Sequence, residues 1–367
     1  MMKPTILIDG RIFSLQSHGG VSQQWAQILC SKIFSNAFDI WLMTYRGFEK
    51  NIHLKSLLEN YPRKINVFEC DIPPSDNDNF NNVESRTRRI RLIKSAIPKK
   101  PDAVINTYYG ENIFPSCRNY VVVAHDYAHE ELPSLASKAS TPGVLRRKRE
   151  AFQSAQLIVS VSSNTFRTGL QLYPHLKGTR NVVIYHGHSG YKQNAEIVTN
   201  KIVHIGGRGG YKNFDAIYKN IPRILIDAPN STFFIVGGES IDNDIKTLEI
   251  DFPGRVSSHI GISDIEVEDI LSTSEFFISA SLYEGFGIPL LNSLRLGVTP
   301  IISNITVYKE LASDSAYYFD PLDHENIYQV IMKAINGGRP RIPAGFMRTW
   351  ENAAQEYVRE IMGMIHA

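Results

Sequence analysis

The sequence predicts an α/β protein built as two doubly wound, parallel-sheet units in series, and three observations carry that expectation. Short apolar runs alternate with stretches of helical apolar spacing along nearly the whole chain, the pattern of repeated strand–helix–strand units. A polar stretch without apolar period, Tyr191–Asn200, interrupts the alternation once, after which it restarts. At 367 residues the chain also exceeds the size at which a single core stops growing, so two domains are expected.

The elements follow in order. In the first half the runs Ile6–Ile8, Ile40–Thr44, Ile65–Phe68, Ala103–Asn106, Tyr120–Ala124, Leu157–Val161 and Val182–Tyr185 read as buried strands. In the second half Ile202–Ile205, Phe233–Val236, Val256–Ile260, Phe276–Ala280, Thr299–Ile302 and Ala316–Phe319 read the same way. Helices are expected between them and at Ile327–Ile335, with a last one at Trp350–Ile365 after the Pro/Gly/Arg-rich connection Gly337–Gly345. The segment Asp71–Asn82 is too polar to pack and reads as mobile. Domain bounds of 1–190 and 191–345 follow, with a helix in 346–367 expected to pack back on the first domain.

Composition is that of an ordinary globular enzyme: 43% apolar, 21% charged and a net charge of +2. No apolar stretch is long enough to span a bilayer, and the opening Met1–Gly10 reads as a first strand and turn rather than a signal peptide. Cys30, Cys70 and Cys117 have no metal spacing and read as reduced thiols of a cytoplasmic protein. Two basic clusters stand out, Arg86, Arg88, Arg89, Arg91, Lys94, Lys99 and Lys100, then Arg146-Arg147-Lys148-Arg149. They read either as solvated helix faces or, if they share a face, as a peripheral contact with an anionic membrane. No nucleic-acid recognition motif accompanies them.

Four constellations can carry chemistry. Gly19-Gly20 opens a helical pattern after the first strand, where bare backbone can approach a phosphate or sugar; a plain tight turn explains the pair as well. Gly206-Gly207-Arg208-Gly209-Gly210-Tyr211-Lys212 follows the first strand of the second half and arms a glycine turn with two cations suited to a diphosphate. His125-Asp126 ends a buried strand, with His125 placed to exchange a hydrogen bond with a substrate hydroxyl, or else held by Asp126 as a structural imidazole. His186 and His188, at the presumed hinge, read as structural. Finally, Glu284-Gly285-Phe286-Gly287-Ile288 joins a buried strand to a helix that ends at Gly297. The free N–H groups at Gly287 and Ile288 suit an anion, and Glu284 suits the hydroxyls of something attached to one. A nucleotide sugar fits both halves. No zinc-like pattern such as H-E-x-x-H is present, and no Asp-x-Asp metal pair stands out.

The last constellation resembles the E-G-F-G-x-P core of the retaining glycosyltransferases of family 4, the glycosyl transferases group 1, which have the GT-B fold. Ser281-Leu282-Tyr283 before it, Gly297–Asn304 after it, and Glu310-Leu311-Ala312 with Tyr318–Asp323 are similar to the family's sequel. Gly209–Phe214 resembles a variant of its phosphate loop, and Val159–Thr165 its V-S-x-x-S segment. The similarity covers most of the second half and patches of the first. One position departs: the family's second glutamate, eight residues after the first, is Asn292.

The resemblance implies two Rossmann-like domains facing across a cleft, with donor on the second and acceptor on the first. It implies transfer of a hexose, mannose-like or other, with retention, from a nucleotide-diphosphate sugar to a hydroxyl of a glycan or lipid-linked acceptor. The expected setting is surface polysaccharide or lipopolysaccharide assembly at the inner face of the plasma membrane. Arg208 and Lys212 would stabilise the departing diphosphate, Glu284 would orient the sugar, and His125 would contact the sugar or the incoming hydroxyl. Gly19, Gly20, Gly207, Gly285, Phe286, Gly287, Ile288 and Asn292 would complete the donor site. No metal and no cofactor is expected. An amide at 292 replaces a charge-assisted bond to the ribose by a neutral one, a loss of about 1 kcal/mol. A non-catalytic GT-B partner- or lipid-binding module and a GT-B sugar-nucleotide epimerase are the alternatives; a phosphorylase would need a pyridoxal-binding lysine, for which there is no signal.

Overall fold

The computed structural model describes residues 2–61, 65–71, 83–136, 141–188, 196–238, 243–337 and 348–367. Contacts divide the chain into two compact units, Met1–Gly187 with Arg348–Ala367, and His188–Met347.

The first unit carries a seven-stranded sheet in the order β3-β2-β1-β4-β5-β6-β7, every neighbouring pair parallel. Its strands are β1 (Thr5–Asp9), β2 (Asp39–Tyr45), β3 (Asn66–Cys70), β4 (Ala103–Asn106), β5 (Tyr120–Ala124), β6 (Leu157–Ser160) and β7 (Arg180–Val183). Parallel strands covered on both faces must be apolar on both, and β1, β4, β5 and β6 are buried at every position. Edge strand β3 is largely exposed. Strand β7 starts two residues before the apolar run that predicts it, because Arg180 pairs with Leu157 at the start of β6.

Residues 348–367 complete this unit. Helix Trp350–Ile365 opens on a capping box between Thr349 and Asn352. Tyr357 lies beside Trp25 with ring centroids 5.8 Å apart, and its hydroxyl accepts from Gln24 Nε2 at 3.0 Å. Glu351 accepts from Ser31 Oγ at 2.6 Å, and Arg180 pairs with Glu360 at 2.6 Å. Gly187 lies so close to this return that a Cβ there would fall 2.1 Å from the Thr349 carbonyl carbon.

The second unit carries a six-stranded parallel sheet in the order β10-β9-β8-β11-β12-β13. The strands are β8 (Val198–Ile205), β9 (Thr232–Val236), β10 (Val256–His259), β11 (Ser274–Ser279), β12 (Thr299–Ser303) and β13 (Tyr317–Phe319). Its core gathers Ile202, Phe233, Ile235, Phe276, Ile278 and Ile301 from the sheet with Ile217, Leu225, Ile327 and Ile331 from the helices. The polar stretch Tyr191–Asn200 is not all connection, since Val198–Asn200 begins β8; residues 191–195 lie outside the described residues. So do 72–82 of the polar segment and 338–345 of the Pro/Gly/Arg-rich connection.

Both basic clusters are corrected by the packing. In helix Val83–Ala96, Arg89 is 1% exposed and donates to Glu111 Oε1 at 2.5 Å, while Arg86 reaches Glu111 Oε2 at 2.5 Å. Lys148, in helix Thr141–Ser154, is fully buried, donates to Glu130 at 2.8 Å and lies over the rings of Tyr109 and Tyr127. Arg147 is buried as well. A desolvated cation already satisfied by a carboxylate is not available to headgroups. Neither cluster is therefore a purely solvated face or a continuous basic surface, although Arg91, Lys94 and Lys100 remain exposed. No helix among the described residues is long and apolar enough to cross a membrane.

Breaking the Arg89–Glu111 pair leaves a carboxylate short of a partner in a largely desolvated place. We expect Arg89→Ala to lower unfolding stability in urea by about 3 kcal/mol, and Arg91→Ala by less than about 0.5 kcal/mol. Equal effects would return Arg89 to the surface.

Candidate functional site

Open α/β sheets bind ligands beyond the carboxyl ends of the strands, where the strand order reverses. In the second unit that point lies between β8 and β11. The chain leaves β8 through Gly206-Gly207-Arg208-Gly209-Gly210 and leaves β11 through Ala280–Gly287. The two turns are sewn together. Leu282 N–H donates to the Tyr211 carbonyl at 2.8 Å, and Asn213 Nδ2 donates to the carbonyls of Ala280 at 3.2 Å and Pro321 at 2.9 Å. Asn213 does this from a left-handed backbone, φ 52°, a conformation its short polar side chain tolerates.

Across this seam Lys212 Nζ donates to Glu284 Oε1 at 2.7 Å, with side-chain exposures of 30% and 13%. The same oxygen accepts from Ser281 Oγ at 2.7 Å and faces the Tyr308 hydroxyl at 3.4 Å, which itself meets Ser279 Oγ at 2.8 Å. Oε1 thus has three donors, whereas Oε2 has no partner among the described residues. A carboxylate so held presents one oxygen outward.

Directly after this turn begins helix Ile288–Leu296, entered through Gly287 at φ 110° and ended by Gly297 at φ 74°. Pro289 in its first turn has no N–H, so Ile288 and Leu290 supply the donors that lack an intrahelical acceptor. These and the helix dipole favour an anion. Gly285 and Phe286 are buried behind the turn. Asn292 sits one turn further on, half-buried, with no hydrogen-bond partner among the described residues.

Arg208 is placed differently from Lys212. Its Nη1 donates to the Gly237 carbonyl, beyond β9, and a Cβ on Gly238 would fall 2.3 Å from that nitrogen. Gly238, at φ 91°, is the residue that leaves room for the guanidinium. Gly207 is exposed on the same turn. Beneath it His204 is buried and turned toward the Ile278 carbonyl at 3.2 Å; burial pushes its pKa down to about 4.

In the first unit the order reverses between β1 and β4. Beyond these ends Asp9 and Arg11 form a buried pair at 2.6 Å. Thr107 gathers the loops, its hydroxyl donating to the Asp9 carbonyl at 2.7 Å and its carbonyl accepting from Trp25 Nε1 at 3.1 Å. That carbonyl also faces His125 Nε2 at 3.0 Å. A carbonyl only accepts, so Nε2 carries the hydrogen and Nδ1 is left as an acceptor. Asp126 does not hold the ring: its carboxylate accepts at 3.1 Å from the N–H of Ala128, the first residue of the short helix Ala128–Glu131. Instead Tyr109 Oη accepts from His125 N–H at 2.9 Å and donates to the Asp126 carbonyl at 3.0 Å. Burial lowers the His125 pKa to about 4, against the pull of the Thr107 carbonyl and Asp126. Gly20 is the first residue of helix Gly20–Cys30, with Gly19 as its cap. His186 is buried beside Trp350.

Of the residues read from sequence, the fold brings together Lys212, Glu284, Gly285, Phe286, Gly287 and Ile288; His125, Gly19 and Gly20 belong to the other unit. Sequence reading missed Ser281, Tyr308 and Asn213. Ser281 stands three residues before Glu284, and its hydroxyl was a usable signal. Tyr308 is 24 residues away and gave none. No group of three or more potential metal-ligating side chains occurs among the described residues.

The family model described as glycosyl transferases group 1 matches residues 179–356. A glycogen synthase of Thermosipho africanus is 24% identical over 34% of this chain and 29% of its own length. The O-antigen chain mannosyltransferase B of Escherichia coli is 30% identical over 20% of this chain and 19% of its own. The chain thus spans less than a third of the length of these curated relatives. The crystal structure of the Anabaena protein HepE in complex with UDP and glucose covers 99% of this chain and 97% of its own, at TM-score 0.65 and 14% identity. That likeness establishes the fold, two Rossmann-like units of the GT-B class.

His125, His186 and His204 are all held neutral, with pKa values near 4, 3 and 4. An unfolded imidazole binds a proton below about 6.5, so acid favours the unfolded chain. Their contribution is complete above that pH and is lost as pH falls toward 4. Thermal unfolding between pH 7 and 4 should show a falling midpoint, and His125→Asn should flatten the slope; an unchanged slope would mean that His125 takes up its proton equally in the folded and unfolded chain.

Proposed function

We propose, for a chain that belongs through residues 179–356 to the glycosyl transferases group 1 family, that it moves a hexose from a nucleotide-diphosphate sugar to a hydroxyl of a glycan or lipid-linked acceptor. The observation that carries this reading is the seam at the β8/β11 reversal, where Lys212 and Glu284 meet between two glycine turns and a helix N-terminus. Cations and bare N–H groups suit the diphosphate, and an outward carboxylate oxygen suits sugar hydroxyls.

In the proposed reaction the bond from the anomeric carbon to the phosphate oxygen breaks, and its electron pair leaves on that oxygen. Lys212, Arg208 and the N–H groups of Ile288 and Leu290 stabilise the charge as it develops, which is worth most where water is excluded. The acceptor oxygen bonds to the same face, and its proton passes to the departing phosphate, giving retention without a metal. Glu284 Oε2 orients the sugar. Asn292 takes the ribose with one accepting oxygen and one donating amide. We assign acceptor binding to the first unit, with His125 Nδ1 as an accepting atom.

We assign the reaction to a bacterial-type setting, surface polysaccharide or lipopolysaccharide assembly on the cytoplasmic side of a membrane; the likeness to an O-antigen chain mannosyltransferase supports the surface-polysaccharide part of that reading. Exposed Arg91, Lys94 and Lys100 would be the residues to meet anionic headgroups.

The test is release of nucleoside diphosphate from a panel of GDP- and UDP-sugars with a lipid-linked acceptor. Lys212→Ala and Arg208→Ala should each cut turnover by about a hundredfold or more; near-wild-type rates would remove them from leaving-group stabilisation. Asn292→Glu should leave turnover similar and tighten the donor by about fivefold, roughly 1 kcal/mol, and weaker binding by calorimetry would count against the ribose assignment.

A further inference from the structure

Tyr308 belongs to none of the glycine turns, yet it meets two of the features that shape the site. It lies in helix Thr306–Ala312, after β12, and is 2% exposed. Its ring packs under Gly287, where a Cβ would come within 3.0 Å of Cε1, so the left-handed entry to helix Ile288–Leu296 rests on that ring. Its hydroxyl stands between Ser279 Oγ at 2.8 Å and Glu284 Oε1 at 3.4 Å. Glu284 can only accept, so the Tyr308 hydrogen points to it and Ser279 donates to Tyr308. Burial, and then the Glu284 charge, raise the Tyr308 pKa well above its ordinary value, which keeps the hydrogen in place.

We propose that Tyr308 is a positioning residue which, with Ser281 and Lys212, commits Glu284 Oε1 to the protein, so that Oε2 alone addresses the donor sugar. The assignment rests on the reading of Glu284 as the donor-sugar contact. The carboxylate has two equivalent oxygens, and a half-turn about its last bond would exchange them. Three donors converging on one oxygen define which is inward, and the ring beneath Gly287 fixes the height of the turn that carries it. The sugar is then read by a single acceptor of set direction. The phosphates are held by other groups and do not depend on the Tyr308 hydroxyl.

The consequence is a loss confined to the sugar. Tyr308→Phe keeps the ring under Gly287 and removes the hydroxyl. It should raise KM for the nucleotide-sugar donor about tenfold, the scale of one hydrogen bond to a charged group, and leave the Kd of GDP or UDP alone within about twofold. Ser281→Ala should act in the same direction. Tyr308→Phe should keep its melting temperature, and Tyr308→Leu, which removes the ring support, should lower it. An unchanged donor KM in Tyr308→Phe, or an equal loss for donor and bare nucleotide, overturns the assignment and leaves the transferase reading standing. A wild-type protein that neither releases nucleoside diphosphate from any donor nor binds GDP or UDP overturns both.

Discussion

Within each sheet every strand runs parallel to its neighbours, and that constraint decides where chemistry can reside. A parallel strand must be reached by a crossover, so the loops that leave carboxyl ends collect along one edge. Where the order reverses, at β1/β4 and β8/β11, adjacent crossovers run to opposite faces and the edge opens. Lys212 and Glu284 are 72 residues apart in sequence and become hydrogen-bonded neighbours because they follow the two strands flanking the second reversal. The glycines, the αL asparagine and the seam from Leu282 to Tyr211 refine a meeting that the strand order has already arranged.

The ion pairs divide by their access to water. Arg11–Asp9, Lys148–Glu130 and Arg89–Glu111 are desolvated or nearly so. Removing one partner from such a pair leaves a desolvated charge without its partner, or in the case of Glu111 with Arg86 alone, so they behave as fixed parts of the scaffold. Lys212–Glu284 is the half-open case, with 30% of the lysine side chain still exposed. An incoming oxyanion can compete for its ammonium without first dismantling a core. The pair therefore holds both groups in place at little cost to their later exchange.

Most of the architecture was legible in the chain because fully buried parallel strands are short unbroken apolar runs. Tyr120–Ala124 and Ala103–Asn106 are strands at those same bounds, and the other runs err by a few residues at their ends. The glycine turns with Arg208, Lys212 and Glu284 were legible because loops after apolar runs stand out. What was hidden is what depends on partners distant in sequence. Nothing in a row of basic letters reveals that Arg89 faces a glutamate 22 residues on, or that Lys148 faces one 18 residues back. Asp126 next to His125 suggested a dyad, but the backbone N–H of Ala128 claimed the carboxylate and a carbonyl from β4's loop claimed the ring.

The excursion of the chain out of its first unit at Gly187 and back at Arg348 has a kinetic meaning. The Gln24–Tyr357 bond closes a separation of 333 residues. Loop-closure entropy grows only as the logarithm of length, so the finished contact is not thermodynamically weak on that account. It is late, however. Synthesis runs at about 5–20 residues per second and domains fold as units. The contiguous second unit can finish while the ribosome still holds the helix that the first unit awaits. The part of the chain made first is the part that matures last, and until then the flank of Trp25 that Tyr357 will cover faces solvent or a chaperone.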